Sequence, residues 1–122
     1  MILLSGVDLI EIARIQSAVA RHGERFLTRI YTARELADCA GRAESLAVRF
    51  AAKEAAAKAL GIGFGVIAWD EIEVQNDEQG APSVQFYGKA KELAAEKKIE
   101  TWSLSLSHSR THAIAMIVGI GS

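Results

Sequence analysis

Eight alanines lie in the segment between Ala43 and Ala59, which contains no glycine or proline and is followed by Gly61. This segment predicts a helix over residues 43–60, because alanine is the best helix former and a glycine commonly ends a helix. Small side chains also allow another backbone to pack closely against the helix. Its apolar residues form two stripes, which predict burial on two sides: Leu46, Phe50, Ala57 and Leu60 in the first, and Val48, Ala52, Ala55 and Ala59 in the second.

The last part of the chain predicts two strands, over residues 101–109 and 111–119, joined by a tight turn at Arg110. Each strand has a bulky face and a small face, because successive side chains point to opposite sides. The small faces predict a close approach by the alanine-rich helix. They consist of Ser103, Ser105 and Ser107 in the first strand and of Ala113, Ala115 and Ile117 in the second.

The remaining segments complete an α+β pattern. Residues 2–10 read as a strand and residues 11–22 as a helix. Thr32 and Glu35 have the spacing of a capping box at the start of a short helix. Residues 67–75 and 82–87 predict a hairpin, and residues 88–98 a surface helix. We therefore expect one domain over residues 1–122, with an antiparallel sheet packed against the alanine-rich helix.

Composition limits the class of function. The 122 residues carry 14 basic and 15 acidic side chains, which argues against a generally basic nucleic-acid binder. A single cysteine, Cys39, excludes an intramolecular disulfide and a zinc site built from cysteines. Neither a signal peptide nor an apolar segment long enough to span a membrane is visible. We expect a cytoplasmic protein that does not associate with membranes or nucleic acids.

Charged side chains interrupt the apolar surface of the long helix. Glu54 and Lys58 are spaced for an ordinary ion pair on one helix, and the lysines could reach the surface along their stems. The alternative is a polar site cut into the core, since buried charges persist when they are paired or bind an ion. Asp8 interrupts the alternation of the first strand, as a turn carboxylate or a ligand would. Together, Asp8 and Glu54 supply the hard oxygen ligands that Mg²⁺ takes from proteins.

Three further features each have a structural and a functional interpretation. The run Leu60-Gly-Ile-Gly-Phe-Gly65 is either a helix cap or a loop at a phosphate. His108 ends a strand on its bulky side, either as a packed histidine or as a phosphate donor with Ser109. Residues 12–34 carry five arginines against one acid, either as a solvated face or as a docking patch for an acidic partner. Three of these arginines share a helix face if the helix extends far enough: Arg14, Arg21 and Arg25.

Several motifs occur in the order and spacing of one family. They are Gly6-Val-Asp-Leu-Ile-Glu11, Arg49-Phe-Ala-Ala-Lys-Glu-Ala55 with Lys58-Ala-Leu-Gly61, Trp69-Asp-Glu-Ile-Glu-Val74 with Gly80-Ala-Pro82, and Leu104-Ser-Leu-Ser-His-Ser109. Over nearly its whole length the chain resembles the holo-[acyl-carrier-protein] synthases, the small stand-alone class of 4′-phosphopantetheinyl transferases. The central helix motif together with Asp8 is the most specific part of the resemblance.

The resemblance implies transfer of 4′-phosphopantetheine from coenzyme A to a serine of apo-acyl carrier protein, in fatty acid biosynthesis. It implies a catalytic set of Asp8, Glu54 and Lys58, in which the two carboxylates bind Mg²⁺. It places coenzyme A against Arg49, Lys53, Gly61, His108 and Ser109. It also implies homotrimers with sites between subunits, and a first helix whose arginines (Arg14, with Arg21 and Arg25) receive the carrier protein.

Two positions depart from the family pattern. Ile62 stands where threonine is common, and His112 where tyrosine is common; neither touches the predicted metal pair. Self-association is also indicated by Phe64 and Val66 after the glycine-rich turn, by the hairpin, and by a final strand that is apolar on both faces. The residues leave two rival functions open: a trimeric binding module for acidic proteins, and a metal-dependent hydrolase of nucleotide pyrophosphates.

Overall fold

A computed structural model describes all residues from Met1 to Ser122. Two antiparallel sheets and five helices follow one another in an α+β order, as predicted. The strands are β1 (Ile2–Glu11), β2 (Ile72–Asn76), β3 (Pro82–Phe86), β4 (Ile99–His108) and β5 (His112–Gly121). The helices are α1 (Ile12–His22), α2 (Glu24–Ile30), α3 (Ala33–Cys39), α4 (Ala43–Leu60) and α5 (Gly88–Glu96), with a short 3₁₀ turn at Trp69–Glu71.

The main sheet has the strand order β1-β5-β4, and β2 pairs with β3 in a separate hairpin. Helix α4 packs on the main sheet, and 12 of its 18 residues are buried, which confirms the prediction of burial on two sides. Gly61 ends it in the left-handed conformation (φ 71°), so the helix-cap interpretation of this glycine is confirmed. The capping box of α3 is confirmed as well, since Thr32 and Glu35 exchange their hydrogen bonds.

The sheet and α4 approach most closely at Gly6. A side chain there would place its Cβ 1.9 Å from the backbone oxygen of Ala55 and 3.0 Å from the nitrogen of Ala59. The small face of β5 points the same way, with Ala113, Ala115 and Ile117 fully buried. Alanines on the helix and small residues on the sheet therefore set the spacing of the two layers.

The serine face of β4 does not meet the helix, contrary to the prediction. Leu104 is paired with Ile117, and Leu106 with Ala115, so the bulky face of β4 lies on the same side as the small face of β5. Because β4 is an edge strand, its larger side chains close the core beside the helix rather than beneath it. The serines point to the outer face of the sheet.

That outer face is apolar and exposed in the single chain. Its exposed members are Leu3, Val7, Leu9, Ile114, Met116 and Ile120. The prediction that the final strand is apolar on both faces is therefore confirmed. No helix of the chain is both long and apolar enough to cross a membrane.

The helix predicted over residues 11–22 is confirmed, since Gly23 at φ 51° ends α1 at His22. The separate helix α2 that follows it was not predicted. Two other element predictions need correction. The first hairpin strand begins at Ile72 rather than at residue 67, since residues Trp69–Glu71 form the 3₁₀ turn. Helix α5 ends at Glu96.

Candidate active site

Asp8, Glu54 and Lys58 form a cluster where β1 passes over α4. Lys58 Nζ donates to Asp8 Oδ1 at 2.9 Å and to the backbone oxygen of Val7 at 3.1 Å. The side chain of Asp8 is 18% exposed and that of Lys58 is 55% exposed, so the cluster is open to a ligand. Lys58 therefore pairs across elements with Asp8, and the predicted ion pair with Glu54 is not formed.

The approach of the layers at Gly6 builds this cluster. Asp8 lies on the same side of β1 as Gly6, and Glu54 and Lys58 flank Ala55 and Ala59 on the helix. Because β1 touches the helix backbone at Gly6, a carboxylate two residues further along the strand lies beside the next polar side chains of α4. The break in the strand's alternation at Asp8 thus marks a polar site, as one interpretation of the sequence proposed.

The pKa of Glu54 indicates that its carboxylate lies close to that of Asp8. Its pKa is raised above the ordinary value, first by partial burial and then by the negative charge of Asp8. The positive charges of Lys58 and Arg14 oppose the shift. The pKa of Lys58 is raised by its hydrogen bond with Asp8. Arg14 of α1 is therefore an electrostatic neighbour of the cluster.

Lys53, predicted to contact coenzyme A, lies in the core instead. Its side chain is 0% exposed, and Nζ lies 2.6 Å from Glu35 Oε1. It also donates to the backbone oxygens of Trp69 and Ile72. Burial lowers the pKa of Lys53, and Glu35 opposes that shift. Lys53 is thus enclosed in the single chain and held by the core, and its contact with coenzyme A stays a prediction.

Arg49 is also buried, at 5% exposure, and lies on another side of α4. Five residues separate it from Glu54, which corresponds to a rotation of about 140° around the helix. One hydrogen bond is formed, from a terminal nitrogen to the backbone oxygen of Ser45 at 3.3 Å, and Nε has no partner. Since a guanidinium has five donors, Arg49 keeps unused capacity for an anionic group.

His108 and Ser109 lie at the β4–β5 turn, away from Asp8. Asp8 is in register with Ala115 and Leu106, two residues before His108. Strand spacing and rise therefore place the Cα atoms of Asp8 and His108 about 12 Å apart. His108 is exposed, so its interpretation as a packed histidine is wrong. Ser109 Oγ accepts from the backbone nitrogen of His112 at 3.1 Å and helps to close the turn.

The predicted arginine face is divided between two helices. Arg14 and Arg21 line one depression on α1, together with Ser17 and His22. Arg25 lies on α2, because the first helix ends before it, and this corrects its expected alignment with the other two. It lines a second cavity of about 430 Å³, formed by His22, Arg25, Phe26, Arg29, Ile30, Phe50 and Trp69.

Sequence reasoning did not find two parts of this region. Glu35 was expected only to cap α3, yet it is also the buried partner of Lys53. A row of stacked aromatic rings was not expected either: ring centroids are 4.7 Å apart for Phe50 and Trp69, and 3.6 Å apart for Trp69 and Phe64. Phe50 lies on α4 and the other two lie in the irregular segment that follows it, so no helix or strand spacing indicates the row.

Comparison with known proteins defines the class of this fold and site. The sequence model of the 4′-phosphopantetheinyl transferase superfamily matches residues 5–117. The chain belongs to this family, and the α+β fold is the transferase fold that the motifs predicted.

Its relatives identify the group within the family. The holo-[acyl-carrier-protein] synthase of Herpetosiphon aurantiacus is 53% identical over 126 residues, covering 98% of this chain and 99% of that protein. The Helicobacter pylori synthase, solved in complex with coenzyme A, is 32% identical with a TM-score of 0.88, and the match covers 96% of this chain and 100% of that one. A Plasmodium yoelii acyl carrier protein synthase with ADP bound is 30% identical with a TM-score of 0.90, over 100% of this chain and 97% of that one. The prediction of an enzyme of the holo-[acyl-carrier-protein] synthase group is confirmed.

Proposed function

We propose that this chain transfers 4′-phosphopantetheine from coenzyme A to a serine of apo-acyl carrier protein, for fatty acid biosynthesis, and that the transfer requires Mg²⁺. The observation that carries the proposal is the cluster of Asp8, Glu54 and Lys58 at the β1–α4 crossing, in a chain of this family. A similar solved structure, from Chronobacterium ammoniagenes, is also a complex with coenzyme A. This similarity supports coenzyme A as the donor. The cytoplasmic location expected from the sequence stays a prediction.

Asp8 and Glu54 have the donor chemistry of a magnesium site. The chain has no group of three or more His, Cys, Asp or Glu side chains placed to hold a metal. Mg²⁺ commonly takes only one or two carboxylates and completes its shell with waters and phosphate oxygens, so two carboxylates suffice. The bond from Lys58 uses one oxygen of Asp8 and leaves Oδ2 for a cation. When bound, Mg²⁺ offsets negative charge on the pyrophosphate.

The reaction forms a bond from the serine oxygen to the phosphate nearest pantetheine and breaks that phosphate's pyrophosphate bond. Adenosine 3′,5′-bisphosphate leaves. Lys58, one turn beyond Glu54 and half-exposed, is placed to stabilise the departing phosphate or to protonate it. The serine proton passes to a carboxylate or to water. No histidine of the same chain lies beside the cluster to take it.

We propose further that the working enzyme is a homotrimer with composite sites. Two observations support this. The resemblance assigns Asp8, His108 and Ser109 to one coenzyme A site, but they lie apart in one chain. Asp8 is on β1, whereas His108 and Ser109 are at the β4–β5 turn. The outer face of the main sheet exposes six large apolar side chains, and Val66 after the glycine-rich turn is 59% exposed. Neighbouring copies would cover these surfaces and bring the β4–β5 turn of one copy to the cluster of another.

We assign carrier-protein docking to α1 and α2. Arg14, Arg21 and Arg25 are exposed, in a chain whose net charge is −1. A local basic surface attracts an acidic partner and orients it during encounter. Arg14 connects this surface to the catalytic cluster, because its charge already acts on Glu54.

Mass spectrometry of apo-acyl carrier protein incubated with the chain, coenzyme A and Mg²⁺ tests the proposal. Transfer adds one phosphopantetheine group to the carrier protein. A binding module would leave its mass unchanged, and a nucleotide pyrophosphate hydrolase would consume coenzyme A without any acceptor. Either of these results would refute the proposed function.

A further inference from the structure

The most deeply buried charges of the chain lie away from the catalytic cluster. Lys53 and Glu35 are both 0% exposed and form an ion pair with a 2.6 Å separation. Charges this deep destabilise the fold unless every polar atom of the pair has a partner. Both side chains are therefore fixed in position by the groups that they bind. The catalytic mechanism proposed above uses neither residue.

The pair joins four parts of the fold. A lysine ammonium has three protons, and Lys53 has three acceptors: Glu35 and the backbone oxygens of Trp69 and Ile72. Glu35 in turn accepts from the backbone nitrogen of Val74 at 2.9 Å. Helices α3 and α4, the 3₁₀ turn and strand β2 thus meet at one ion pair.

Lys53 binds the backbone of the 3₁₀ turn at Trp69, and the Trp69 side chain forms one wall of a cavity. Trp69, whose backbone oxygen accepts from Lys53, stacks on Phe50, which lies one turn before Lys53 on α4. Both rings line the cavity of about 430 Å³ between α2 and α4. Phe26 completes its apolar lining, and Arg25 and Arg29 give it positive charge.

We infer that Lys53 and Glu35 are positioning residues for carrier-protein binding, which act by fixing the Trp69 wall of this cavity. This inference rests on the proposed function and goes further by naming two buried residues that position the docking surface. An apolar floor with two arginines fits an apolar side chain that has acidic neighbours, the surface expected of an acidic carrier protein. The resemblance instead places Lys53 at coenzyme A, so the two assignments predict effects on different substrates.

Steady-state kinetics of Lys53→Met separates these assignments. Methionine keeps much of the volume but removes the donor to Trp69. We expect the KM for carrier protein to rise about tenfold, as is common for a disturbed contact at the centre of an interface, and the KM for coenzyme A to stay within about twofold. In a Trp102→Phe background Trp69 is the only tryptophan, and its emission should shift in Lys53→Met.

Tyr31→Phe is the matched control. Tyr31 is 2% exposed and its hydroxyl donates to the backbone oxygen of Leu46, so the variant also loses one buried hydrogen bond near α4. It has no bond to the Trp69 turn. We expect both KM values and the Trp69 emission to stay at the wild-type level, which separates positioning from general destabilisation.

If Lys53→Met does not fold, Trp69→Ala tests whether the Trp69 wall binds the carrier protein. Trp69 is only half-buried, and its loss should raise the KM for carrier protein alone. An unchanged KM for carrier protein in Trp69→Ala would overturn the inference, as would a rise in the KM for coenzyme A in Lys53→Met. A wild-type chain that transfers nothing would refute the proposed function itself. The Trp69 emission of Lys53→Met would then still test whether the ion pair positions this residue.

Discussion

Replacing Gly6 with alanine tests whether the close approach of β1 and α4 builds the proposed catalytic cluster of Asp8, Glu54 and Lys58. The added Cβ would lie 1.9 Å from the backbone oxygen of Ala55, whereas real Cβ contacts stay above 3.0 Å, so the layers must separate by about 1.1 Å. The blocking atom is backbone and cannot rotate away. Asp8 and Lys58, now joined at 2.9 Å, would then separate beyond hydrogen-bond distance.

Two effects oppose each other in the stability of this variant. Alanine restricts the unfolded chain, which stabilises the protein by about 0.4–1 kcal/mol. Overpacking a core costs about 1–3 kcal/mol, and a clash between backbones belongs at the upper end of that range. We expect the clash to win by about 2 kcal/mol, a fall in Tm of about 6–10 °C for a domain of this size.

The effect on transfer should exceed the effect on stability. Misplacing catalytic groups by about 1 Å commonly lowers the rate about a hundredfold. The assay measures Tm by thermal unfolding and the transfer rate by mass spectrometry, at a temperature where the variant stays folded. Gly63→Ala is the control for stability, because a Cβ at Gly63 meets nothing within 4 Å and its φ is not left-handed. A Gly6→Ala variant with the Tm of Gly63→Ala and the transfer rate of the wild type would refute the reasoning.

Four further predictions concern the site, the docking surface, the core and the assembly. Asp8→Asn and Glu54→Gln should each abolish transfer at low Mg²⁺ while Tm stays within a few degrees of wild type, since each removes a charged ligand but little volume; an active variant with unchanged Mg²⁺ dependence would contradict the metal site. Arg14→Glu should raise the KM for carrier protein about three- to tenfold, by losing one exposed attraction and adding a repulsion; a change confined to the KM for coenzyme A would place Arg14 at the nucleotide. Burial raises the pKa of Tyr31, so the unfolded chain ionises first and stability should fall as pH rises above about 10. Denaturant unfolding at pH 9 and pH 11 should show a smaller loss in Tyr31→Phe, and an equal loss would contradict this. Met116→Asp should dissociate the proposed trimer, because Met116 is 50% exposed on the apolar sheet face, and an unchanged sedimentation coefficient would argue against that interface.

The sequence by itself predicts those features that local rules govern. The ends of α4 follow from helix propensity and from Gly61, and the start of α3 follows from the spacing of Thr32 and Glu35. The polar site at Asp8 is visible because one carboxylate breaks the alternation of an apolar strand. These features can be predicted from the sequence because each depends on residues that are only a few positions apart.

The tertiary structure decides which charged side chains are available to a ligand. Lys53 and Lys58 are lysines on the same helix, each beside apolar residues, and the sequence resemblance predicts a ligand contact for both: Lys58 in the catalytic set and Lys53 at coenzyme A. Five residues turn the helix by about 140° from one to the other. Lys58 therefore reaches the edge of β1 and solvent, whereas Lys53 points between α3 and β2 and is enclosed. That difference depends on which elements cover each side of α4, and those elements come from distant parts of the chain.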